Sequence, residues 1–99
     1  MYGTIARLHP KTDKLDELKA LARRFESGEH VPAGFRHAWI FTPDANPYET
    51  PTVFLLGVFE DRATYTANAD SPEQDAEYQQ LRALLEDDPQ WMDGTFDGM

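Results

Sequence analysis

Residues 52–60 read TVFLLGVFE, and as a strand this stretch is apolar on both faces. Val53, Leu55 and Phe59 fall on one side of an extended chain and Phe54, Leu56 and Val58 on the other, because successive strand side chains point to opposite faces. An antiparallel sheet with one wet face alternates apolar and polar residues, so a strand that does not alternate is covered twice. A chain of 99 residues makes one domain, 1–99. Its helices can cover one side of the sheet and leave nothing for the other. A second subunit is the simplest cover, and this strand alone predicts a homodimer.

The other elements follow from pattern and punctuation. YGTIARLH (2–9) is a strand with Tyr2, Thr4, Ala6 and Leu8 on one face and Ile5, Arg7 and His9 on the other; Pro10 closes it. Asp13 is expected to cap the next helix, with Asp16 in its first turn, Leu15, Leu18, Leu21, Ala22 and Phe25 on one face, and Gly28 at its end. GFRHAWIFT (34–42) is the second strand. Strict alternation points Phe35, His37, Trp39 and Phe41 one way and Ala38 and Ile40 the other. A one-residue change of parity exchanges Phe35, His37 and Trp39 for Arg36, Ala38 and Ile40. The loop PDANPYETP precedes the third strand.

NADSPEQDAEYQQL (68–81) has a proline inside what otherwise reads as one long helix. Asp61 can cap a short helix over 62–69. Ser71 then fits an N-cap, Pro72 the first helical position, and Gln74 the third, the spacing of a capping box. Pro72 therefore starts a second helical segment. Tyr78, Leu81, Leu84 and Leu85 form its buried stripe, and Pro89 disfavours helix in the residue before it. QWMDGTFD (90–97) is the last strand, with Gly94 expected at a bulge or a close approach. The order strand–helix–strand–strand–helix–strand is the α+β, ferredoxin-like βαββαβ pattern, with a four-stranded antiparallel sheet and its helices on one face.

Charge and composition exclude several functions. Residues 1–50 balance seven Lys and Arg against seven Asp and Glu, whereas residues 51–99 set two Arg against eleven acids, so nearly all of the net charge of −9 lies in the second half. That field repels nucleic-acid phosphates and anionic membranes. The absence of cysteine removes disulfides, thiolate nucleophiles and Cys-based metal sites. Three scattered histidines and irregularly spaced acids match no metal motif. MYGTIARLHP does not read as a signal peptide, and no stretch approaches a membrane span, so a cytoplasmic location is expected.

The segment VFEDRATYTANADSPEQDAEYQQLRALLEDDPQWMDGTF (58–96) resembles the second half of dimeric α+β barrel proteins, in particular the antibiotic-biosynthesis-monooxygenase-like branch. The third strand ends in Phe59-Glu60, a helix kinked at Ser71-Pro72 follows, and a short strand closes the chain. HPKTDKLDELKALARRF (9–25) resembles the family's first helix, and PAGF (32–35) its approach to the second strand. The resemblance implies that two sheets, one per subunit, close into a barrel, with a pocket in each subunit between sheet and helices. The family includes cofactor-independent oxygenases of aromatic substrates, haem-degrading enzymes, isomerases and proteins with no assigned activity. The haem-degrading branch carries an asparagine on the first strand, a tryptophan before the kink and a histidine in the second helical segment. Thr4, Asn68 and Tyr78 stand nearest those positions and match none, so neither haem degradation nor any cofactor is expected.

Several side chains are candidates for chemistry. His37, on an aromatic strand face, is a general base if buried in a dry pocket, or a satisfied core or interface histidine. Trp39 and Trp91 are walls for a planar ligand or plain packing. Tyr65, Asn68 and Tyr78 flank the kink. Either tyrosine can put its hydroxyl into a pocket or onto a backbone carbonyl. Arg7 and Arg36 either pair with an acid across a dimer seam or bind a substrate carboxylate or phenolate. Two functions stay open. One is an enzyme resembling cofactor-independent monooxygenases, with His37, or Tyr78 assisted by Asn68, as base or anion-orienting group, and Trp39, Trp91, Tyr65 and Arg36 holding a small aromatic or phenolic substrate. The other is a non-catalytic dimeric module that binds a small apolar ligand or serves as a structural partner.

Overall fold

The computed structural model describes residues 1–27, 31–45, 47 and 51–98. Strand β1 (Tyr2–Leu8) leads to helix α1 (Leu15–Ser27) and strand β2 (Phe35–Phe41). Strand β3 (Val53–Phe59), helices α2 (Arg62–Ala69) and α3 (Pro72–Ala83), and strand β4 (Gln90–Thr95) complete the chain. The sheet order is β2-β3-β1-β4, with every neighbouring pair antiparallel.

The helices cover one face, here called the inner face. Ala6 and Leu8 of β1 and Val53 and Leu55 of β3 meet Leu18 and Leu21 of α1, Leu81 of α3, and Leu85 just beyond it. Leu8, Leu18 and Leu85 are essentially inaccessible, and burying such a side chain is worth about 1.5–3 kcal/mol. The faces expected for the first and third strands are those observed.

The kink resolves as two helices. Asp61 caps α2, its carboxylate accepting from the Thr64 backbone N–H at 2.8 Å. That bond, followed by one from the Thr64 hydroxyl, holds the Asp61 carboxyl below its usual range. Ser71 caps α3, its hydroxyl oxygen accepting from the Gln74 N–H at 3.1 Å, with Pro72 in the first turn. The reciprocal half of the capping box is not made. Gln74 Oε1 instead accepts from Asn68 Nδ2 at 3.1 Å, while the Ser71 N–H donates to Asn68 O at 3.0 Å. The side chain of Gln74 thus fastens the end of α2 to the start of α3.

Two local expectations, at Asp13 and at Gly94, need correction. Asp13 is not the cap of α1. It has φ 65°, and the Lys14 N–H closes onto Lys11 O at 3.0 Å while Leu18 N–H bonds to Lys14 O. Lys14 therefore holds the cap position, and Asp13, a residue type that tolerates the left-handed region, shapes the turn before it. Gly94 is neither a bulge nor a close approach; a Cβ there would meet nothing within 4 Å. Gly3 is crowded instead, since a Cβ there would lie 1.9 Å from the Gly57 carbonyl oxygen, and Gly34, at φ 79°, is crowded by the Thr64 side chain. The expected helix end at Gly28, the side chain of Phe25, His30, and part of the 43–51 loop lie outside the described residues.

Strand β2 breaks its alternation. Phe35 pairs with Phe59 but His37 pairs with Val58, so Arg36 is an extra residue opposite a single step of β3. Such a bulge reverses parity. Phe35 therefore joins the inner face with Ala38 and Ile40, while His37, Trp39 and Phe41 point to the outer face. That outer face is apolar, and none of the described helices lies over it. Trp39, Phe41 and Met92 are 48%, 57% and 65% exposed, beside Ile5, Phe54 and Leu56.

Candidate functional site

The inner face contains a gap that its own register creates. One rung across the sheet consists of Ala38, Gly57, Thr4 and Asp93, directly paired in that order. The first three are small. The flanking rungs carry larger groups: Phe35, Phe59 and Tyr2 on one side, Ile40, Leu55 and Trp91 on the other. Helices α2 and α3 bridge over the small rung and leave a cavity of about 430 Å³, within the range of small-molecule sites.

Asp93 ends the small rung and receives the hydroxyl of Tyr65, which donates to Asp93 Oδ1 at 2.8 Å. The cap at Asp61 starts α2 so that Tyr65 faces the sheet. Its ring packs edge-on against Tyr2 (5.3 Å between centroids) and Phe59 (5.6 Å). Burial pushes the Tyr65 phenol up to about 12, and the hydrogen bond and negative charge of Asp93 push the same way, with the Thr4 hydroxyl opposing. Tyr65 is therefore a neutral hydrogen-bond donor through the whole physiological range. Asn68 and Gln74 line the cavity at the kink, tied to each other. Trp91 and Tyr78 form an aromatic wall, their ring centroids 6.5 Å apart and tilted by 43°. Glu77 stands at the α3 side, its carboxyl raised above the ordinary value by burial, with Arg24 opposing and Glu73 adding to the shift.

The structure thus brings Tyr65, Asn68, Tyr78 and Trp91 together around one cavity. It does not bring His37, Trp39 or Arg36 there. His37 stacks on Trp39 on the outer face, 4.6 Å between centroids and 15° between planes, and is exposed. The dry environment that would make it a pocket base is missing in this chain. Arg36 is exposed in the bulge and pairs with Glu60 of its own chain, Nη2 to Oε2 3.3 Å. Arg7, on the outer face, donates to Gln90. Asp93 is the residue that sequence reasoning missed. Its signal was parity, since it lies two residues beyond Trp91 on the same short strand and must share its face. Among the described residues, no group of three or more His, Asp or Glu is placed to hold a metal ion, and no helix is long and apolar enough to cross a membrane.

No protein-family model matches the chain, and no curated protein does. Solved structures do. A Nitrosomonas europaea protein described as a candidate antibiotic biosynthesis monooxygenase superposes with a TM-score of 0.71 at 17% identity, over 97% of this chain and 98% of its own. SnoaB, a cofactor-independent oxygenase from Streptomyces nogalater, gives 0.72 at 13% identity, over 99% and 94%. A dimeric protein of unknown function and ferredoxin-like fold from Bacteroides fragilis gives 0.67 at 18%, over 96% and 95%. Many of the strong structural neighbours are named antibiotic biosynthesis monooxygenases. Identities this low carry the fold, and the fold is ferredoxin-like.

Proposed function

We propose that this chain is a small-molecule enzyme of the cofactor-independent oxygenase kind, taking an aromatic or phenolic substrate between the sheet and helices α2 and α3. The observation that carries the reading is the Tyr65–Asp93 pair at the end of a cavity walled by Trp91 and Tyr78. The names of structural neighbours, SnoaB among them, point to the same kind of chemistry. In a monooxygenation without a cofactor, the substrate itself supplies the electron pair. One oxygen atom enters the substrate, and the other leaves as water with two substrate hydrogens. The protein must remove a proton, hold the resulting anion and keep water out.

Asp93 is the base in this proposal. As it takes a proton from the substrate, its charge disappears, and the Tyr65 hydroxyl is released to turn toward the substrate oxygen that has become negative. The proton moves within the cavity, so the site gains no net charge while the anion forms. Asn68 and Tyr78 orient the ring, and Trp91 covers it. The test is oxygen uptake with a panel of polycyclic phenols, scored by product mass. Asp93→Asn should lower turnover by about 10²–10⁴-fold, the usual range for losing a general base. Full turnover in that variant would remove Asp93 from the role.

A second reading is a passive ligand-binding module. It is favoured by the polar groups of the cavity already bonding one another, Tyr65 to Asp93 and Asn68 to Gln74. A phenol that binds tightly without any oxygen uptake would select it. In either case we propose that two copies associate through the outer sheet face into a barrel-like dimer. The exposed Trp39, Phe41 and Met92 support this, as does the Bacteroides fragilis neighbour, named as dimeric.

A further inference from the structure

We propose that the ligand of this cavity is an aromatic molecule bearing a protonated amine. The proposal rests on reading the cavity as the ligand site, and it adds the charge of what enters. All nine Lys and Arg of the sequence fall among the described residues, and none of them lines the cavity. Among the described residues, three acids do: Asp75, Glu77 and Asp93. An aromatic carboxylate or sulfonate entering here would meet three acids and no cation. An ammonium group would be attracted by the same three acids and opposed by no lining Lys or Arg.

Two further observations agree. Glu77 is half-buried, and burial is the leading cause that raises its carboxyl, so folding has removed part of the solvation of its charged form. Arg24 opposes that shift from α1 without cancelling it, while Glu73 increases it. A ligand cation beside Glu77 would replace the solvation that folding removed. The Tyr78 and Trp91 rings line the same space, and indole and phenol faces attract a cation held within about 6 Å of them. The acidic second half of the chain, which supplies α2, α3 and β4, extends the same field outward and concentrates cations at the cavity mouth. A neutral aromatic would gain the ring contacts alone.

The test is calorimetric titration of the full chain with three indoles of nearly equal shape: tryptamine (cationic), 3-ethylindole (neutral) and indole-3-propionate (anionic). Tryptamine should bind about tenfold more tightly than 3-ethylindole, with indole-3-propionate weakest. The preference should shrink severalfold in molar salt. Glu77→Gln and Asp75→Asn should each reduce the ratio of tryptamine to 3-ethylindole affinity severalfold. Equal affinities, a reversed order, a preference untouched by both substitutions, or no binding of tryptamine at millimolar concentration would each overturn the proposal. Oxygen uptake with neutral phenols and no charge preference would sink this inference and leave the oxygenase reading standing. A charge preference without oxygen uptake would do the opposite.

Discussion

The hydroxyl of Tyr65 offers a direct probe of the cavity. Its phenol is pushed from 10.0 to about 12, first by burial and then by Asp93. The sequence has four tyrosines, Tyr2, Tyr48, Tyr65 and Tyr78. In an alkaline titration followed by tyrosinate absorbance, Tyr65 should ionise later than a free phenol, and Tyr65→Phe should delete that late step. Because burial leads, Asp93→Asn should bring the phenol only part of the way back. The shift also has a consequence for stability. A folded-state value above the unfolded one means the native protein holds the proton more tightly. The stabilisation is complete below pH 10 and is lost as pH rises from 10 through about 12. Two units would correspond to ~2.7 kcal/mol in a dry site. Tyr65 is only partly buried, and solvent screening reduces this to about 1 kcal/mol. Urea denaturation at pH 8 and pH 11 should therefore show the native sequence losing about 0.5 kcal/mol more than Tyr65→Phe, half of the full effect, because pH 11 lies midway through the titration. Equal losses in the two proteins, or a late-ionising tyrosine that survives Tyr65→Phe, would refute the placement of this hydroxyl.

Other substitutions test the frame around the cavity. Gly3→Ala puts a Cβ against the Gly57 carbonyl, 1.9 Å away in the present geometry, so strands β1 and β3 must part. The expected cost is on the order of 3 kcal/mol in urea denaturation. Gly94→Ala, with open space around it, should stay within about 0.5 kcal/mol of the native sequence, and similar losses at the two glycines would contradict the register. Ser71→Ala removes the oxygen that accepts from the Gln74 N–H and should cost ~1 kcal/mol, read as a lower denaturation midpoint. Trp39→Glu combined with Phe41→Glu places two charges on the outer face and should convert a dimer to a monomer in sedimentation velocity; an unchanged dimer would move the interface elsewhere.

Element order and helix punctuation were legible in the sequence because their causes are local. Asp61 and Ser71-Pro72 cap helices through atoms three residues away, so spacing alone reported the kink. The doubly apolar third strand likewise announced an outer face in need of cover, since alternation is a property of one strand. Asp13 shows the edge of this legibility. It is a good capping residue, yet the turn closed by Lys11 and Lys14 placed it one position too early.

The candidate site was half legible for a different reason. Tyr65, Asn68, Tyr78 and Trp91 line one cavity because helix periodicity and strand parity hold without interruption through their segments. His37 and Trp39 were placed in the cavity by the same parity rule, and the extra residue at Arg36 reversed it. Nothing in GFRHAWIF marks that bulge, because it is set by how β2 meets β3 rather than by β2 itself. Asp93 shares the face of Trp91 by parity, but only the strand pairing placed it in line with Thr4, Gly57 and Ala38. Those four positions lie far apart along the chain, and the small residues Ala38, Gly57 and Thr4 open a cavity only when they fall on one rung. The sequence by itself determined which segments are helix and strand and which faces are apolar. The tertiary register decided which small residues line up, and so where the cavity lies and which side chains face it.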